Sequence, residues 1–81
     1  MHYSKDSNYA EGQWVGKRIA DTVDKTEYKD LPTAIKVKQE LINNFEKKFG
    51  YKHEQESFDR NYTFNLGILH ILKERFNEEN E

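Results

Sequence analysis

Gly12, Gly16 and Lys17 fall within the stretch EGQWVGKR, residues 11–18, and invite comparison with a loop that cradles phosphate. That chemistry has strict demands. A Walker-type loop places four residues between its glycines, then Lys followed by Ser or Thr, whose hydroxyl meets magnesium. Here only Gln13, Trp14 and Val15 intervene, Arg18 stands where the hydroxyl belongs, and no apolar strand leads in. The spacing fits packing better than phosphate. Gly12, Gly16 and Ala20 are four apart and so share one face of a helix. Small residues there let a second helix, or a ring such as Phe45 or Phe64, lie against the backbone.

The other reactive side chains form no constellation. His2, His53 and His70 lack the spacings that bring ligands onto one metal. His70 with Glu74 reads as a surface or rim pair one helical turn apart, and His53 lies in a charged turn. The hydroxyls of Ser4, Ser7, Thr22, Thr26, Thr33, Ser57 and Thr63 carry no nucleophile signature around them. The carboxylates are scattered among lysines, as on a solvated helix face. With no cysteine, disulfides and thiol chemistry are excluded. No metal, cofactor or catalytic activity is expected.

Binding is the remaining class. Trp14 lies about 100° round a helix from the Val15, Ile19, Val23 stripe, which divides it between core packing and partner contact. Tyr9, Tyr28 and Tyr51, like Tyr3, fall near expected ends and turns. With Trp14 they are the candidates for meeting a protein partner, since large aromatics dominate interface energetics. The alternative is a DNA-binding helix-turn-helix, with Lys36, Asn43, Lys47 and Lys48 as the contacts on the second helix. Against it, Glu40 and Glu46 interrupt the lysines and the whole chain has three arginines, whereas base recognition favours Arg, Asn and Gln.

Composition narrows the setting. The 81 residues suit one small domain, residues 1–81, with 35% hydrophobic and 14% aromatic residues. The mean hydropathy is −1.11, so a few rings must build most of the core. A net charge of −2 argues against phosphate-backbone binding as the main activity. The N-terminus lacks an apolar leader and no run approaches a membrane span, so a cytoplasmic protein is expected. Lys, Asn, Ile, Tyr and Phe far outnumber Gly, Ala, Arg and Pro, a codon-level hint of a low-GC bacterium or its phage.

Three elements must position these residues. A first helix runs from about Asn8 to near Thr26, after a flexible arm at residues 1–8. The second spans Leu31 to Phe49: Asp30 and Pro32 mark its start, Lys47, Lys48 and Gly50 its end. The third carries Phe58, Tyr62, Leu66, Leu69, Leu72 and Phe76 in one stripe, with Phe64, Ile68 and Ile71 in a second beside it. That wide arc makes it the most buried helix and makes Phe64, Ile68 and Ile71 candidates for self-association into a homodimer. A competing reading comes from the alternation of residues 62–68, which is also that of a half-buried strand. The expected fold is an all-α bundle of three helices, or four, with residues 77–81 a fraying acidic tail. The expected function is a small protein-binding regulator, adaptor or inhibitor.

Overall fold

The computed structural model describes residues 7–49 and 60–79. Helix α1 spans Ser7–Asp21, α2 Leu31–Phe49 and α3 Arg60–Glu79, with a single 3₁₀ turn at Val23–Lys25. The protein is a small all-α bundle of three helices, and among the described residues there is neither a fourth α-helix nor a strand. Residues 1–6, most of the expected flexible arm, lie outside the described residues, as do residues 80–81 of the expected tail; Ser7 and Asn8 are already helical, and α3 continues to Glu79.

The second helix has the limits its punctuation predicts. Asp30 Oδ1 accepts a hydrogen bond from the Thr33 backbone N–H at 2.9 Å, and its carbonyl accepts from Ala34 N–H at 3.1 Å. These satisfy donors that the first turn leaves orphaned. The two bonds from Thr33 and its backbone hold the Asp30 carboxyl below its ordinary range. The first helix stops five residues short of the expected Thr26. Thr22 Oγ1 turns back to donate to the Arg18 carbonyl at 2.9 Å, and Thr26 Oγ1 donates to the Val23 carbonyl at 2.7 Å. Threonine hydroxyls offering such local partners compete with helix continuation. The connection then passes through Lys29, at φ 74°, before α2 begins.

Helix α3 is the central element: α1 and α2 each pack chiefly against it. Tyr62, Thr63, Leu66, Gly67, Ile68, Leu69, Ile71 and Leu72 are all buried. At about 100° per residue these side chains point in every direction round the axis, the pattern of a helix clad on all sides. The strand reading of residues 62–68 is therefore corrected to helix. The polar half of the alternation is not a solvent face: Thr63 is buried, and Gly67 meets α1.

Two clusters make the core. Tyr9, Ile42, Tyr62, Leu66 and Leu69 form the first, flanked by Phe45, whose ring meets that of Tyr62 edge to face. Ala20, Leu31, Ala34, Ile68 and Leu72 form the second, with Val15, Ile19, Val23 and Phe64 packed against it.

The small-residue ridge on α1 is where α3 crosses. A Cβ at Gly12 would land on the Phe64 carbonyl, and one at Gly16 would come 2.9 Å from Ile71 Cβ. Gly67 answers from α3, where an added Cβ would strike the Tyr9 carbonyl. The ridge thus takes the backbone of a second helix rather than an aromatic ring.

Candidate functional site

That crossing decides which residues remain for binding. Trp14 lies about 160° round α1 from Gly12 and Gly16, so it points away from α3, and it is 58% exposed. Arg18, one turn on, places its guanidinium 5.0 Å from the centre of the indole ring. This cation–π contact holds the ring against the helix while leaving its outer surface in water. Glu11 and Lys17 are exposed beside it, so an apolar plate sits within a charged rim.

Tyr9 is not part of this face. It is 7% exposed, within the first core cluster, because positions 9, 12 and 16 share the side of α1 that meets α3. Its hydroxyl lies 2.6 Å from His70 Nδ1, donating when the ring proton is on Nε2. The two rings meet edge to face at 5.6 Å. His70 is accordingly half-buried at the rim of the α1–α3 contact. Tyr28 is half-buried and packs on the second cluster, and Tyr51 lies outside the described residues. Of the four aromatic partner candidates, Trp14 alone is a described, exposed ring.

The self-association surface is likewise corrected. Ile68 is 2% and Ile71 8% exposed, and Phe64 packs on the second cluster. Glycines on α1 bring that helix close enough to cover the second stripe within one chain, so little of Ile68 or Ile71 is left for another copy.

Lys36, Asn43 and Lys47 are exposed along one strip of α2, with Glu40 between them; Lys48 lies about 100° away round the helix. Gln39 donates from Nε2 to Asn43 Oδ1 at 3.0 Å.

A feature the sequence did not reveal lies between the first half of α2 and the end of α3. These helices run antiparallel, as the first and last of three bonds along α3 show. Tyr62 Oη donates to Glu46 Oε2 at 2.9 Å, Lys38 Nζ to Asn65 Oδ1 at 3.0 Å, and Lys73 Nζ to Gln39 Oε1 at 2.6 Å. Around the last of these an open groove of about 460 Å³ is lined by Pro32, Ile35 and Phe76 below and by Lys36, Gln39, Glu40 and Lys73 at its rim. The available signal was the recurrence of Pro32, Ile35 and Gln39 on one edge of the α2 apolar stripe, but the facing wall is forty residues distant in sequence.

Among the described residues no group of three His, Asp or Glu side chains could hold a metal ion, and no buried side-chain polar atom lacks a hydrogen-bond partner. No described helix is long and apolar enough to cross a membrane. Comparison with protein-family models, with curated proteins and with solved structures finds no match for this chain.

Proposed function

We propose that this protein is a small, non-catalytic regulator, adaptor or inhibitor that works by binding another protein, with Trp14 as its anchor. The observation that carries this reading is the exposed indole on the outer face of α1, kept in place by Arg18. Packing does not account for it: the face of α1 opposite Trp14 is the one that makes the core. An aromatic ringed by charged side chains is the arrangement of an interface hot spot, where a desolvated ring supplies affinity and a polar rim excludes water. Its residue usage, rich in Lys, Asn, Ile, Tyr and Phe, suits a low-GC bacterium or its phage.

The test is a tagged pull-down from host lysate with nuclease treatment, at low and at moderate salt, comparing the wild type with Trp14→Ala. One protein retained by the wild type at both salts and lost by the variant is the expected result. The substitution should weaken the purified complex by roughly thirtyfold, the value of a hot spot of about 2 kcal/mol. Stability should stay within about 0.5 kcal/mol, as for other surface changes. Retention that disappears with nuclease or with salt would instead favour the DNA-binding reading through Lys36, Asn43, Lys47 and Lys48.

A further inference from the structure

The groove between α2 and α3 is a second surface, its floor made by Ile35 and Phe76 where they leave the core clusters half-buried. From Pro32 to Glu40 it follows α2 for about 12 Å at 1.5 Å per residue. Ligand pockets of similar volume bury most of a small molecule. This one is open along its length, so a small molecule in it would remain largely in water. A trough between two antiparallel helices better suits a third helix, whose residues i, i+4 and i+7 span about 10 Å.

The rim selects the sign of that helix. Lys73 donates to Gln39 Oε1, and Gln39 donates in turn to Asn43, so a chain of neutral amides positions the ammonium at the rim. An amide bond orients the cation without neutralising it. Lys36 stands on the opposite wall, and Glu40 is the only carboxylate among the described lining residues. Two cations against one carboxylate favour an acidic occupant.

We propose that this groove docks an acidic amphipathic helix of a partner protein, its apolar side chains on Pro32, Ile35 and Phe76 and a carboxylate between Lys36 and Lys73. This surface shares no residue with the Trp14 face, so the chain can hold two partners at once. The inference stands independently of what Trp14 binds.

The experiment uses the full, isotope-labelled chain titrated with a synthetic peptide of about four helical turns, bearing Leu at i, i+4 and i+7 and Glu beside them. A second peptide carries Lys for every Glu, and laurate serves as a small amphiphilic probe. The acidic peptide should shift the amide signals of Ile35, Gln39, Lys73 and Phe76, and bind on the order of tenfold tighter than the basic one. Lys36→Gln and Lys73→Gln, both rim changes, should each weaken it by roughly two- to fivefold, the range for an exposed ion pair. Glu40→Gln should strengthen it, and Trp14→Ala should leave it unchanged. Equal affinity for the two peptides, shifts confined to other faces, binding of laurate alone, or no shift at millimolar peptide would each overturn the proposal.

Discussion

The two interfaces of α3 are built on opposite plans. Against α1 it packs backbone to backbone, through Gly12 and Gly16 on one side and Gly67 on the other. Against α2 it packs through side chains: Phe45 on Tyr62, with polar bridges from Lys38 to Asn65 and from Lys73 to Gln39. Closeness leaves no space, and the glycine crossing has none. The wider α2–α3 seam is held together where its side chains are long enough to meet and opens into a groove at the Lys73–Gln39 end. The lesson is that helix spacing, set by residue size along the contact, decides which seam can take a ligand and which can serve only as core.

The sharpest way to break this contrast is Gly12→Ala. In an uncrowded helix this change gains about 1 kcal/mol. Here the added methyl would collide with the Phe64 carbonyl, which is backbone and cannot swing aside. We expect a net loss of about 2–3 kcal/mol in urea unfolding, the cost of overpacking. That is a large share of the total for so small a domain. A stabilised variant would mean that the two interfaces do not differ in closeness.

A smaller effect sharpens the comparison at one end of the same crossing. Tyr9→Phe keeps the ring against His70 and removes only the hydroxyl, so stability should fall by about 1 kcal/mol, the net value of one hydrogen bond. An unchanged unfolding midpoint would show that shape alone seats α1.

The smallest effect belongs to the start of α2. Asp30 titrates below its ordinary value of 3.8 because Thr33 bonds its carboxylate. A lowered folded-state value means that this cap stabilises above the unfolded value and loses its effect as pH falls through the folded one. The melting temperature of Asp30→Ala should therefore lie slightly below wild type at neutral pH, the gap closing as pH drops below about 3.8. A gap that persists in acid would assign the effect to backbone conformation rather than to the carboxylate.

How much of this was legible in the sequence varied with how local the cause is. Helix α2 was legible to the residue, since Asp30 and Pro32 open it and Lys47, Lys48 and Gly50 mark its close. The centrality of α3 was legible in its two adjoining stripes. The end of α1 was not, because Thr22 and Thr26 redirect their hydroxyls to nearby carbonyls, a choice that periodicity does not record. The hundred-degree offset of Trp14 from its neighbours' stripe left its fate divided, and its exposure followed only once α3 had claimed the glycine side. Tyr9 was misread for the opposite reason: its partners, Gly67 and His70, lie some sixty residues away. The groove has walls on two helices, and the sign on α2, Pro32 with Ile35 and Gln39, does not point to the facing wall on α3.

The glycine crossing also bears on the order in which the molecule is made and folds. Helical proteins fold fast when their contacts are local, yet the tightest interface here joins the first helix to the last, and the Tyr9–His70 contact closes a loop of 61 residues. On the ribosome α1 emerges well before α3 and must wait with its glycine ridge uncovered. Closing that loop carries an entropic penalty that rises slowly with length, whereas α2 and α3 are neighbours in sequence. Sequence separation alone therefore favours α2 and α3 as the earlier pair, and we expect the docking of α1 to be the later step that completes the core.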